Sequence, residues 1–428
     1  MINSIQHFQQ EGVKRLLKVF DNYGKDLSKM AEMVYGVTKE VTNLGCSMIA
    51  EEWESYDEIL RQRKDLRKGW YIVRKDETTI TTSLGDVTYG RTLFKNTKNG
   101  NSCYLLDKLI EIDPHTRMSE DAVARMLEEA ADSSYRKGGA NASISGSVMS
   151  KETVMNKLHE LEFPKTLYEG EKKTVSTLYI DADEDHVALQ YLESKGDIQK
   201  PRSNTIMPRL AYVYEGIDTE KDGRPKLINV KCFGGVYEGA EGVETFWKEV
   251  LAYIESAYDM DQLERINLNG DGAAWIKAGA NMLPKTKFVL DKFHMHKYII
   301  SNWNGIQISV KGKDKNIQCS AEGHVSHVFS DRMSSRPLGW SRIGCDRMSR
   351  LRVYQKNKGN MLELVRYQKQ EPSMAADVKE VIYSASDMII MENKNKRRLG
   401  NMANMPVYTI PYTQIKKIAA LKNHIWDL

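Results

Sequence analysis

The sequence predicts an α/β protein, a mixed sheet flanked by helices, behind an N-terminal region that is helical, then a small sheet, then helix-turn-helix-like. Three observations predict it. Charged, helix-periodic patterning gives way at Trp70 to a stretch rich in Thr, Tyr and Val. Apolar strand-like runs then meander between residues 175 and 236, and after them helix and strand patterns alternate. Meander followed by alternation is the mark of a mixed sheet with helices packed on it. At 428 residues there is material for two or three domains and a real core.

Taken in order, residues 1–68 read as helical, with Val13, Leu16, Leu17 and Phe20 on one apolar face. Residues 69–168 form the second region. "GWYIVRKDETTITTSLGDVTYGRTLFKN" is a small antiparallel sheet turning at Gly85-Asp86. A helix capped by Ser119 carries Val123, Met126, Leu127 and Ala130 inward and stops at Gly138-Gly139. A second helix runs from Ser150 through Val154, Leu158 and Leu161, and the pair permits a DNA-binding helix-turn-helix.

Pro164 to Lys173 is a linker into the α/β domain, residues 169–370. "TLYIDADEDHVALQ" holds two strand arms around an acidic turn; "RLAYVYEGI" and "PKLINVKCFGGVY" are further strands. "EGVETFWKEVLAYIESAY" is an amphipathic helix with Phe246, Trp247, Val250, Leu251 and Ile254 on one side. "RINLNGDG" is a strand, and "KFVLDKFHMHKYI" is a strand entering a helix. Trp247 and Trp275 are expected in the core. Residues 371–428 are a polar extension with the basic run "NKNKRR".

Charge excludes little: 62 Lys and Arg against 58 Asp and Glu leave +4, so nucleic-acid binding would rest on local clusters. The five scattered cysteines contain no CxxC pair and read as reduced thiols. No run is long enough for a membrane span, and the N-terminus lacks a signal-peptide core, so a soluble intracellular protein is expected.

Acids recur at strand ends: Asp183, Asp271 and Asp291, with Glu322 opening "AEGHVSHVFSDRM". Asp271 lies between Gly270 and Gly272, which suits a plain turn and equally suits a carboxylate presented where a metal or phosphate can approach. Carboxylates gathered at one sheet edge need cations, and hard Mg²⁺ or Mn²⁺ prefer oxygen ligands. Two such ions would serve phosphodiester chemistry. Each acid alone is equally an ordinary surface residue. A zinc site is not expected, because there is no HExxH and His324 and His327 are spaced i, i+3.

Four segments, "YIDADEDHVALQ", "LNGDGAAWI", "FVLDKFHMHKYI" and "CSAEGHVSHVFSDRMSSRPLGWS", together resemble the motifs of ISLre-type insertion-sequence transposases, distant kin of the Mutator transposases. The resemblance covers most of the chain, including "SYRKGGA" and "SKETVMNKLHEL". It implies an RNase H-like catalytic domain with a DDE triad that cuts and joins DNA using two Mg²⁺ or Mn²⁺ ions. Carried over, the triad is Asp183, Asp271 and Glu322, with Asp181 the rival for the first place. "DKFH", Asp291 to His294, resembles the D-x-x-H signature, in which the histidine supports the active site or touches DNA. On that reading His294 is catalytic without ligating metal.

Eight Lys or Arg between Arg332 and Lys358, against Asp346 alone, fit a DNA path along Arg332, Arg336, Arg342, Arg347, Arg350 and Arg352. Trp340 is placed to stack on an unpaired base at the cleaved end. A basic helix is equally a solvated face. The implied partners are transposon terminal inverted repeats, target DNA, and further copies of the chain in a homodimer or higher oligomer on DNA. The implied location is the bacterial cytoplasm, on the nucleoid when bound. Relatives carry a helical insertion after D-x-x-H; here "HKYIISNWNGI" joins directly near 298–303, and Asp271 to Glu322 spans 322 − 271 = 51 residues. End-paired dimers are therefore expected to be weak unless the N-terminal helices supply the contact. The rival functions are a catalytically silent DNA-binding derivative and a metal-dependent nuclease without transposition.

Overall fold

The computed structural model describes residues 2–190, 205–219, 225–290, 325–335, 338–369, 378–379 and 381–391. The chain divides into two compact units, one of residues 1–119 with 371–428, the other of residues 120–370. The boundary expected at 168/169 thus falls inside the second unit, and the three helices before it pack with one another and with the later helices of that unit.

The first unit begins with α1 (Ile2–His7), a π-helical turn (Phe8–Gly12), α2 (Val13–Lys25) and the long α3 (Met30–Gln62). A three-stranded antiparallel sheet follows, β1 (Trp70–Thr81), β2 (Asp86–Asn96) and β3 (Ser102–Tyr104), then α4 (Leu105–Leu109). The β1–β2 turn closes where Gly85 was expected to close it, with Thr82 and Gly85 hydrogen-bonded to each other. β3 pairs only with residues 93–95 of β2, which leaves the amides of Gly90 and Thr92 without a strand partner. Acids on α3 accept them: Glu54 from Gly90 N at 2.6 Å, and Asp57 from Thr92 N at 2.9 Å and Thr92 Oγ1 at 2.6 Å. An open strand edge is thereby covered by a helix. Leu60, Trp70, Phe94 and Leu105 pack with Val378, Val381 and Ala385 from the helical segment 381–391 and its approach.

In the second unit, α5 (Glu120–Asp132), α6 (Tyr135–Asn141) and α7 (Lys151–His159) replace the expected pair. The first expected helix breaks at Ser133-Ser134, because the Ser134 side chain caps a new helix at Lys137 N. Gly138 and Gly139 sit inside α6 and do not end it. A Cβ on Gly138 would lie 2.8 Å from Ala130 Cβ and from Met126 O, so that glycine admits close helix contact. The expected helix from Ser150 is present, capped by the Ser150 hydroxyl.

The sheet contains β4 (Thr177–Glu184), β7 (Arg209–Tyr214), β10 (Lys231–Gly235), β11 (Arg265–Gly270) and β12 (Thr286–Leu290), in the order β10-β7-β4-β11-β12. Two small hairpins lie beside it: β5 (Val187–Ala188) with β6 (Thr205–Ile206), and β8 (Gly216–Thr219) with β9 (Pro225–Ile228). β9 and β10 were expected as one strand. Asn229, at φ 52°, breaks it into two. β7 runs antiparallel to its neighbours β10 and β4, while β11 and β12 run parallel to β4.

Strand alternation sorts the side chains. Leu178, Ile180, Ala182, Ala211, Val213, Ile266 and Leu268 point into the core under α8 (Gly239–Ala257) and α9 (Ala274–Met282). Phe246, Trp247, Val250 and Ile254 of α8 fill that core with Trp275, as expected, and Leu251 packs on its margin. A short helix α10 (Asp331–Met333), continuing a π-helical turn Ser326–Ser330, leads to α11 (Arg342–Lys356) and α12 (Met361–Tyr367). α11 covers the edge strand β10: Asn357 bonds both backbone groups of Cys232, and Asp346 accepts from Val236 N. A Cβ on Gly234 would meet Val353 and Phe329 at about 3 Å, so helices cover the second face too.

Candidate active site

The face of β4 opposite the α8 core carries Tyr179, Asp181 and Asp183. Asp181 is fully buried. Its carboxylate accepts from Tyr212 Oη at 2.8 Å, Tyr214 Oη at 3.1 Å and Asn269 Nδ2 at 2.6 Å. Tyr212 and Asn269 are its cross-strand neighbours on β7 and β11. Three neutral donors thus fasten Asp181 between strands. The rival for the first triad position is built into the sheet's middle.

Asp183 lies two residues on, partly exposed, with Glu184 N donating to its Oδ1 at 2.8 Å. β11 pairs Asn269 with Asp181, so two more residues along parallel strands bring Asp271 level with Asp183. Neighbouring strands lie about 4.8 Å apart, so this register, continued, sets the backbones of the two residues side by side at the strands' carboxyl ends. A Cβ on Gly270 would stand 2.9 Å from Ala182 O and 2.7 Å from Ile276, so glycine lets β11 and β4 close together there. Gly272 has φ +89°, where glycine is favoured, and turns the chain into α9. Asp271 Oδ1 accepts from Ala273 N at 2.8 Å. The Gly-Asp-Gly triplet is therefore a turn, and the same turn presents a carboxylate at the sheet's edge.

Sequence reasoning passed over two further acids. Glu184 points to the other face, where the Trp275 indole N–H donates to it. Burial, and then the charge of Asp271, push its carboxyl above the ordinary glutamate range. Arg209, its partner on β7, lies 5.2 Å over the Trp275 ring. Asp185 is buried, accepts from Ser334 Oγ and His186 N at 2.9 Å each, and has Oδ2 without a partner among the described residues. It ties the end of β4 to the segment that follows Glu322. Period-2 alternation through "DADED" is the signal that separates these acids.

Glu322, Asp291, His294 and Arg336 lie outside the described residues. Among the described residues no group of three or more His, Cys, Asp or Glu is gathered that could hold a metal ion. The continued β4–β11 register puts the Asp183 and Asp271 positions on neighbouring strand ends. They offer hard oxygen donors that suit Mg²⁺ or Mn²⁺ and leave a third ligand to be supplied.

The basic stretch differs most from expectation. Trp340 is 6 % exposed; its indole donates to Met333 O at 3.1 Å, its backbone bridges Ala188 and Gln190, and Arg332 lies 4.9 Å over its ring. It is a core residue with no face free for a base. Arg332, 5 % exposed, donates to Ala130 O at 3.1 Å. Arg352 donates to Val328 O, His327 O and Ala131 O, and pairs with Asp132. Arg350 bonds Asp346 at 2.8 Å and Tyr237 Oη at 3.0 Å. Arg347 lies 3.7 Å from Asp346, and Arg342 pairs with Glu238. Arg332 and Arg352 close the carbonyl end of α5, and Arg350 ties α11 to Tyr237; of the arginines named here only Arg342 is exposed.

Among the described residues no helix is long and apolar enough to cross a membrane. A family described as "Uncharacterised protein family (UPF0236)" matches residues 24–307 and 295–371. Two UPF0236 proteins of Caldanaerobacter subterraneus subsp. tengcongensis are similar to this chain. One is 34 % identical over 82 % of this chain and 83 % of its own length; another is 35 % identical over 81 % and 84 %. Among solved structures, the Drosophila P element transposase strand transfer complex aligns at 12 % identity and a TM-score of 0.25, covering 64 % of this chain and 65 % of that one.

Proposed function

The chain belongs to the UPF0236 family, and from that premise we propose that it is an ISLre-type DDE transposase that cuts transposon ends and joins them through the freed 3′-hydroxyl. The observation that carries the reading is the parallel pairing of Asn269 on β11 with Asp181 on β4, a register that, continued by two residues, puts Asp271 level with Asp183. The sheet order, three antiparallel strands continued by two parallel ones, supports an RNase H-like domain. Glu322, from the fourth matching motif, completes the proposed triad.

Asp183, Asp271 and Glu322 would hold two Mg²⁺ or Mn²⁺ ions, which supply charge stabilisation for the attacking and leaving oxygens of a phosphodiester. The chain's own contribution is placement. Tyr212, Tyr214 and Asn269 fix β4 through Asp181. Gly270 brings the strands close, and Gly272 makes the left-handed turn beside Asp271 into α9. DNA, as terminal repeats and target, is the proposed substrate, with Arg342, Lys356 and Lys358 the exposed basic groups of that stretch among the described residues.

Nicking of supercoiled plasmid in Mg²⁺ but not Ca²⁺, lost in Asp271→Asn, is the expected result. Strand transfer of pre-cut ends separates a transposase from a nuclease. DNA binding without nicking in either metal would identify a silent derivative and sink the enzymatic reading.

A further inference from the structure

We infer that the α2–α3 hairpin is a self-association surface and that its occupant is the same hairpin of a second copy of the chain. α2 is strongly amphipathic in sequence, yet none of its residues is buried. The helices run antiparallel: a Cβ on Gly36 would stand 2.8 Å from Val19, and Arg15 pairs with Glu40 at 2.7 Å. Val19 and Leu16 belong to that inner contact, being half-buried.

A second stripe on each helix faces solvent. On α2 it is Val13, Leu17 and Phe20, exposed by 38, 57 and 47 %. On α3 it is Met30, Val34 and Val41, exposed by 62, 47 and 54 %. At 100° per residue each stripe is rotated about a quarter turn from its helix's inner face, in the same sense. In antiparallel helices equal rotations of one sense bring both stripes to the same side. The hairpin therefore presents one continuous apolar face, extended at the turn by Leu27, 70 % exposed.

The size of this face argues for a second copy. The seven side chains expose on the order of 600–700 Å², at the upper limit of what a monomer leaves bare and close to the roughly 800 Å² each partner contributes to a standard interface. The aliphatic stems of Lys14 and Lys18 supply the remainder. A two-fold pairing that lays α2 across the partner's α3 buries both apolar faces in a four-helix bundle.

The inference stands apart from the proposed chemistry, since it needs no DNA and no cleavage. Sedimentation equilibrium of the full chain tests it, with a dimer expected at micromolar concentrations. Leu17→Glu with Val34→Glu should weaken dimerisation by at least about tenfold with helical signal and melting temperature unchanged, because both positions are exposed. Leu17→Gln, which retains helix propensity, should weaken it in the same direction if the double variant loses helix. Leu338→Glu, exposed in the other unit, should leave dimerisation as it was. A monomer up to about 100 µM, a double variant that pairs as tightly as wild type, or uptake by phosphatidylserine vesicles without self-association would each overturn it.

Discussion

Asp181 and Asp183 differ by two residues and by everything around them. Asp181 accepts from three buried donors, so Asp181→Ala should cost about 1–3 kcal/mol per orphaned partner, visible as a lowered denaturation midpoint. Asp183→Asn and Asp271→Asn remove one of the two carboxylates on neighbouring strand ends and should leave the metal-free protein at least as stable as wild type, while abolishing nicking. Denaturant melts run beside the plasmid assay check both halves; a stable, cleaving Asp183→Asn protein would transfer the role elsewhere. The strand-end acids were legible from the motifs, but their division of labour was not, because it depends on which strands flank β4. Trp340 carries the same lesson. Its neighbours in sequence are basic, yet its neighbours in space are Met333, Tyr135 and Ala188. Trp340→Ala should therefore cost about 3–5 kcal/mol of stability, a core truncation, and a variant that melts like wild type but loses DNA-end binding would restore the stacking role.

Elements were readable where one period dominated. β1, β2, β4, β7, β11 and α8 lie where their sequence patterns placed them. Glycines were misread where packing, and not turning, was their use: Gly138 and Gly139 lie inside α6 against α5 and the approach to α7. Gly272 is the opposite case, a left-handed position where Ala should cost about 1 kcal/mol and disturb the entry to α9; loss of cleavage with little loss of stability is the expected outcome for Gly272→Ala. No periodicity announces the contact of α3 with β2, since Asp57 reads as an exposed helix acid. Burial, ahead of the bonds from Thr92, pushes its carboxyl above the usual aspartate range. A proton is then held more tightly in the folded than in the unfolded state, so the stability attached to Asp57 is greatest below the ordinary aspartate value and declines as pH rises through the folded one. Urea melts should show Asp57→Asn faring better relative to wild type at about pH 7 than at about pH 4. An unchanged difference would mean that the buried carboxylate carries no charge penalty.

At the scale of the molecule, the sequence suggested a cut at 168/169, between a DNA-reading helix pair and a catalytic domain. The contacts place it at 119/120. Arg332 and Arg352 reach back 202 and 221 residues to the carbonyls of Ala130 and Ala131, and Arg366 pairs with Glu120 at 2.9 Å. Such links join residues far apart in the chain and leave no local trace in composition, which is why the basic run read as a DNA path. They also decide which fragment stands alone. Residues 120–370 keep these arginines paired and should melt in one cooperative transition. Residues 169–370 remove the Ala130 O acceptor of Arg332 and the Ala131 O and Asp132 acceptors of Arg352, and breaking a buried charged contact typically costs about 3–5 kcal/mol, so that fragment should be unfolded or partly folded at 25 °C. Calorimetry of the two fragments distinguishes the cases, and equal stability would return the boundary to the linker. If α5 to α7 read the transposon end, the 120–370 fragment should also retain end-specific affinity, over a non-specific component that weakens steeply with salt. Binding that is equally strong on random DNA would move end recognition to the first unit.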